Sequence, residues 1–248
     1  MDLKEFLLTA INCSIEAGKE ILEIYNNSNF EIEFKTDNSP LTIADKTSNS
    51  IIVNHLKKFN IPILSEEGKE THFYERKNWK YYWLIDPLDG TKEFIKKNDE
   101  FTVNIALLRN NQPILGVIYT PVLKDLYFAS EKLGSFKINI DETMSSLNDF
   151  VQNAHQLPLH ENNTNVVVAS RSHLSEETQQ FIDILKQQTD KLMSISKGSS
   201  LKLCLVAEGN ADLYPRFAPT MEWDIAAGHA IVIYSGGNIF QYPGKKDI

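Results

Sequence analysis

The chain reads as an α/β protein in which strands and helices alternate in layers. Three observations predict this. Apolar residues recur at helical spacing in several long stretches. Between them stand short β-rich runs bounded by Gly, Pro, Asn or Asp. Finally, 248 residues with 42% hydrophobic content suffice for one large domain or for two lobes sharing a cleft.

The first stripe is Leu3, Phe6, Leu7, Ala10, Ile11, Ile15, Leu22 and Tyr25, a helix. Phe30–Phe34 alternates like a strand. Ser39-Pro40 opens a second helix, proline being tolerated in a first turn, and that helix carries Ala44, Thr47, Ile51, Leu56 and Phe59. Ile61–Leu64 is a short buried strand that delivers Ser65-Glu66-Glu67-Gly68. Trp79–Ile85 is the next strand. Phe101–Leu108 and Ile114–Tyr119 form a hairpin across Asn110–Pro113, and Leu126–Ala129 continues the sheet. Residues 141–164 are polar and poor in β-branched and aromatic residues, which places a boundary between lobes 1–145 and 146–248. The second half reads as strand Val166–Ala169, helix Ser175–Gln187, strand Leu192–Ile195, helix Ser199–Glu208 capped by Gly209, strand Ala211–Tyr214 and helix Trp223–Tyr234.

Lys and Arg number 25 against 33 Asp and Glu, a net charge of −8. Such a chain has no general attraction for nucleic-acid polymers or anionic membranes. The two cysteines, Cys13 and Cys204, read as buried reduced thiols. The N-terminus is too charged for a signal peptide, and no apolar run reaches the roughly 20 residues of a spanning helix. A soluble cytoplasmic protein without an integral membrane segment is expected.

The stretch with most chemistry is Trp83-Leu84-Ile85-Asp86-Pro87-Leu88-Asp89-Gly90-Thr91. A buried strand ends in two carboxylates set among a proline, a glycine and a threonine. Pro87 lacks an N–H, so the ladder is expected to stop there, and Gly90 permits a sharp turn. Thr91 then starts a helix whose first amides favour anions. Alone, the pair also fits an ordinary Asp-Gly turn with solvated carboxylates. Glu66 and Glu67, Asp45 and Asp224 each fit a solvated loop, a solvated helix face and a first-turn acid when read singly. Together Glu66, Asp86 and Asp224 sit at element ends, where α/β folds place ligands. Oxygen-only donors suit Mg²⁺, and the six histidines show no zinc spacing.

The Trp83–Thr91 segment resembles the first signature of the inositol monophosphatase superfamily, and Trp223-Asp224-Ile225-Ala226-Ala227-Gly228 resembles its second. Lys35–Asp45 and Ser65-Glu66-Glu67 resemble its two upstream blocks, in family order and at family-like spacing. Lys92-Glu93-Phe94, Ser170-Arg171-Ser172-His173, Gly198–Lys202 and Ala211–Arg216 are similar to the 3'(2'),5'-bisphosphate nucleotidase branch.

The resemblance implies a two-lobed α-β-α-β-α sandwich with two or three Mg²⁺ ions between the lobes. Glu66, Asp86, Asp89, Asp224 and the Leu88 carbonyl are implied as metal ligands. Asp45 and Thr91, with Glu66, are implied to orient and activate the attacking water, and Gly90 and Thr91 to cradle the phosphate. Ser170, His173, Ser199 and Lys202, with Arg216 behind them, are implied as nucleotide contacts. One lysine and one histidine would offset a second phosphate; read from the residues alone, they also fit a solvated helix lysine and a polar loop. The implied reaction removes the 3'-phosphate of adenosine 3',5'-bisphosphate, giving AMP, with the sulfated nucleotide PAPS as a further substrate and sulfur assimilation as the setting. The rival readings are an inositol or sugar phosphate phosphatase on the same site, and a non-catalytic nucleotide or metal sensor. A homodimer, and peripheral contact with the inner face of the cell membrane, are expectations of the resemblance alone. Family members usually continue past the position of Ile248, an expected loss to the second lobe and not to the metal motifs.

Overall fold

In helix α1 (Leu3–Asn26), the Asp2 side chain accepts from the Lys4 amide and caps the first turn. The computed structural model describes residues 2–27, 32–34, 40–69, 71–140, 144–160, 165–172, 174–189, 191–241 and 246–247. Strand β1 (Ile32–Phe34) pairs antiparallel with β2 (Pro40–Thr42), and α2 (Ile43–Leu56) follows directly. Pro40 therefore lies in a strand and not in the first helical turn. Thr42 and Asp45 decide the start by capping one another's end groups, a capping box that fixes the helix at Ile43. Phe59 lies beyond α2, in a short 3-10 turn.

The chain continues through β3 (Ile63–Ser65), the one-turn α3 (Phe73–Arg76), β4 (Tyr81–Asp89) and the short α4 (Thr91–Ile95). Pro87 does not end the ladder. Strand β4 pairs with β5 (Thr102–Arg109) up to Asp86↔Asn104 and resumes at Asp89↔Thr102, one extra residue standing on β4. Inside this bulge, Leu88 N–H donates to Asp86 Oδ1 at 3.1 Å, and the Pro87 carbonyl accepts from Ser48 Oγ at 2.6 Å. The expected hairpin joins β5 to β6 (Gln112–Thr120) through Asn110 and Asn111, both at positive φ as a tight hairpin turn requires.

Strands β7 (Asp125–Ser130) and β8 (Gly134–Asn139), helix α5 (Leu147–Asn153) and β9 (His155–Gln156) come next. They complete a seven-stranded sheet in the order β3-β4-β5-β6-β7-β8-β9. Helix α5 and β9 fall in the stretch that composition alone reads as polar connection. Leu147 and Phe150 of α5 are buried on the α1 side of the sheet. Beyond lie β10 (Val166–Ser170), α6 (Glu176–Gln188), β11 (Met193–Lys197), α7 (Leu201–Glu208), α8 (Glu222–Tyr234), β12 (Phe240–Gln241) and β13 (Lys246–Asp247). No strand forms at Ala211–Tyr214. Leu213 makes a single bridge to Val167, and Pro215 cannot extend a ladder.

Strand periodicity distributes these elements into layers. Trp83, Ile85, Ile105 and Val117 pack on one face of the large sheet with residues of α1 and α2. Leu84, Ala106, Leu108 and Ile118 pack on the other with Leu203, Ala227 and Ile231 of α7 and α8. Strands β10 and β11 pair in parallel. Val166 and Val168 join Leu205 and Val206 of α7, and Val167 and Ala169 join Ile182 and Leu185 of α6. The order of layers is helix, sheet, helix, sheet, helix. Cys13 and Cys204 are buried free thiols. Among the described residues no helix is long and apolar enough to cross a membrane.

Candidate active site

The bulge at the end of β4 carries Asp89 into the lining of a cavity of about 410 Å³, while Asp86 stays buried. Glu66, Asp89, Gly90, Thr91, Glu93, Ser170, Ser199, Lys202, Arg216 and Asp224 all line it. The parallel pairing of β3 with β4 places Glu66 beside Asp86, and the Glu66 amide donates to the Ile85 carbonyl at 3.1 Å. Asp224 enters from the first turn of α8, where its carboxylate accepts from Thr220 Oγ1 at 2.6 Å and the Met221 amide at 3.1 Å.

Asp86 is 2% exposed, so it is no solvated turn residue. Burial, then the charges of Glu66, Asp89 and Asp224, push its carboxyl well above the usual range. Burial and Asp89 also raise Asp224. The four acids thus act on one another. Among the described residues, no three such side chains stand at metal-ligand spacing. The donor set itself, carboxylates with a backbone carbonyl nearby and neither thiol nor imidazole, fits a hard divalent cation, whose charge would relieve the repulsion at Asp86.

Asp89 is held by one oxygen. Ser199 Oγ and Ser200 Oγ each lie 2.8 Å from Oδ2, and Asn104 Nδ2 lies 3.3 Å from it. Ser199 also meets Thr102 Oγ1 at 2.6 Å, and Asn104 Nδ2 donates to Ser200 Oγ at 2.8 Å. Asn104, Thr102 and Ser200 escape sequence reading because each looks like a routine strand or helix-start residue. The one available signal is that Thr102 and Asn104 are polar inside an otherwise apolar strand.

Thr91 and Asp45 meet, although 46 residues separate them. Thr91 Oγ1 is 3.0 Å from Asp45 Oδ1 and 3.3 Å from the Leu88 carbonyl. Asp45 Oδ2 accepts from the amide and the hydroxyl of Thr42, both at 2.7 Å. The acid is 2% exposed, against the solvated helix face it also fits in isolation, and burial raises its carboxyl. Gly90 caps α4 at φ +95°, a conformation that L side chains rarely adopt, and a Cβ there would stand 3.0 Å from the Glu100 carbonyl.

Lys202, 4% exposed, lines the same cavity, near enough for the Asp89 charge to act on it. Its ammonium donates to the carbonyls of Lys197 and Ser199 and faces the Tyr214 ring at 5.5 Å. Burial lowers its pKa. Arg216 donates to Tyr214 Oη at 3.3 Å and to the Pro219 carbonyl at 2.9 Å. Ser170 is buried at the end of β10. His173 and the Lys35–Ser39 block lie outside the described residues.

Layers, carboxylate group and Thr91–Asp45 pair together define a class, and comparison with known proteins gives it a name. The inositol monophosphatase family model matches residues 2–248, and the chain belongs to that family. Among its relatives is the 3'(2'),5'-bisphosphate nucleotidase CysQ of Salmonella typhimurium, 42% identical over 233 residues, covering 92% of this chain and 87% of the relative. The crystal structure of CysQ from Bacteroides thetaiotaomicron superimposes with a TM-score of 0.85 at 48% identity, covering 94% of this chain and 87% of that one. An inositol monophosphatase from Thermotoga maritima gives a TM-score of 0.72 at 26% identity, covering 98% and 87%.

Proposed function

We propose that the protein is a Mg²⁺-dependent 3'(2'),5'-bisphosphate nucleotidase that hydrolyses adenosine 3',5'-bisphosphate to AMP and phosphate, with PAPS as a second substrate and sulfur assimilation as its setting. The observation that carries this reading is the presence in one cavity of Glu66, Asp89 and Asp224, coupled to the buried Asp86, together with the buried Lys202 ammonium. The first suits an in-line attack on a phosphate ester. The second suits a further anionic group on the same molecule. Identity to the bisphosphate nucleotidases supports the choice of substrate.

Glu66, Asp86, Asp89, Asp224 and the Leu88 carbonyl would hold two or three Mg²⁺ ions, which supply Lewis-acid stabilisation of charge on phosphate and leaving oxygens when bound. The chain's own residues do the rest. The Thr91 hydroxyl, donating to Asp45, turns its lone pairs outward to accept from a water molecule, and Asp45 takes up the proton relayed through it. The amides of Gly90 and Thr91, at the opening of α4, support the phosphate oxygens. Ser170, His173, Ser199, Lys202 and Arg216 contact the nucleotide. A division into lobes 1–145 and 146–248 and a cytoplasmic location belong to the same proposal.

Turnover of adenosine 3',5'-bisphosphate and inositol 1-phosphate, measured side by side with Mg²⁺, tests it. A higher kcat/KM for the bisphosphate is expected. A higher value for the inositol ester overturns the substrate, and no phosphate release from any monoester overturns the enzyme.

A further inference from the structure

Parallel sheets bind ligands beyond the carboxyl ends of their strands. In the β10–β11 sheet those ends are Ser170–Ser172 and Lys197–Ser200, and Ser170, Ser172, Gly198, Ser199 and Ser200 line the cavity. Two acids from the segment around α4 reach across to them. Glu93, 4% exposed, accepts a hydrogen bond from Ser172 Oγ. Glu100, 8% exposed, accepts two from Arg171, Nε and Nη2 each at 2.8 Å. The same carboxylate accepts from the Gly198 amide at 2.8 Å and from Lys197 Nζ at 3.3 Å. One buried carboxylate therefore ties down both strand ends.

The junction is closed as well as bonded. A Cβ on Gly198 would stand 2.8 Å from Glu93 Cγ and 3.0 Å from the Glu100 carbonyl, so the loop lies directly on the two acids. Burial alone would raise the Glu100 carboxyl, but Arg171, the Gly198 amide and Lys197 outweigh it and hold it below the usual glutamate range.

What the clamp holds in place is the loop that joins Asp89 to Lys202. The Lys197–Ser200 loop presents Ser199 and Ser200 to Asp89, and its Lys197 and Ser199 carbonyls receive the Lys202 ammonium. We propose that Glu93 and Glu100 are positioning residues that set selectivity for a doubly phosphorylated substrate. By fixing this loop against the α4 segment, they fix the distance between the Lys202 ammonium and Asp89. A ligand with two phosphates reads that distance. A simple monoester engages the carboxylate group without Lys202 and does not. The inference rests on the reading of the cavity given under Proposed function.

Glu100→Gln, Arg171→Gln and the double variant test the clamp from both sides, with Glu93→Gln beside them. Arg171 has 46% of its side chain exposed, so its replacement keeps the fold if Glu100→Gln does not. Each is assayed with Mg²⁺ on adenosine 3',5'-bisphosphate and on p-nitrophenyl phosphate, and Gly198 amide exchange is measured. For the bisphosphate, kcat/KM is expected to fall about ten- to a hundredfold, mainly through KM, as loss of a hydrogen bond to a charged group implies. Turnover of p-nitrophenyl phosphate should stay within about threefold, less than the worth of one such bond. The double variant should lose no more than Glu100→Gln alone, and Gly198 should exchange faster in all four. A parallel fall on both substrates, no fall on either, or unchanged Gly198 exchange overturns the clamp. A wild-type protein inactive on the bisphosphate overturns the functional reading and the clamp together, whereas a selective wild type with unaltered variants overturns the clamp alone.

Discussion

Strands β4 to β7 are dry on both faces, with Trp83, Ile105 and Val117 against α1 and α2 and Leu84, Ala106 and Ile118 against α7 and α8. Strand β11 exposes Met193 and Ser194, and the ends of β10 and β11 are fastened by Glu93 and Glu100. One region keeps its geometry through area removed from water, roughly 25 cal/mol per Å² of apolar surface. The other keeps it through charge-assisted hydrogen bonds whose geometry is directional. The division matches what each presents. The large sheet carries carboxylates at the rim of a stiff platform, and the small sheet brings its fastened strand ends to the same cavity.

The largest effect should come from the platform's rim. Asp86→Asn is expected to lower phosphate release by about a thousandfold, the scale of losing a preorganised charged group, with an unchanged circular dichroism spectrum. Retained activity would show that the rim does not carry the chemistry. Phe128→Ala, in the dry core, should cost about 3–5 kcal/mol in urea unfolding, since neighbours packed on a sheet cannot collapse into the cavity. A cost below 1 kcal/mol would remove the contrast between the regions.

Lys202→Met sharpens it in the opposite direction. Burial lowers the folded-state pKa of Lys202, so below it the folded protein holds a proton at a penalty that the unfolded chain escapes. The unfolded state binds more protons through the window between the lowered value and the ordinary 10.5, and stability rises with pH there. The variant should be more stable at neutral pH, should lose that alkaline gain, and should bind the bisphosphate less well. Urea midpoints at neutral and alkaline pH read the first two, and a stability loss at neutral pH contradicts the assignment. The smallest effect is expected at Lys46→Ala, where both partners of the Lys46–Glu33 pair are exposed and the change should stay within about 1 kcal/mol.

Much of this was legible in the residues because it is local. The apolar stripe of α1, the Asn110–Asn111 hairpin and the Gly209 cap are decided within a few positions. The four acids stood out because each follows or opens an element with a turn residue beside it. What was not legible depends on distance. Glu100 meets Arg171 across 71 residues, and nothing near either one announces the other. Pro40 misled because the capping box two residues later outweighed a proline's preference for the first turn. Pro87 misled because a bulge lets a ladder step over a residue without an N–H.

That step has a consequence in parity. Side chains alternate along a strand, so residues three apart point to opposite faces. Asp86 and Asp89 are three apart, yet they pair with Asn104 and Thr102, which are two apart and share a face. The extra residue turns an odd interval into an even one and brings both carboxylates to the same side. The segment between them should therefore accept changes of side chain far more readily than changes of length. Removing Pro87 or Leu88 would leave every acid in the sequence and send one of them to the wrong side of the sheet.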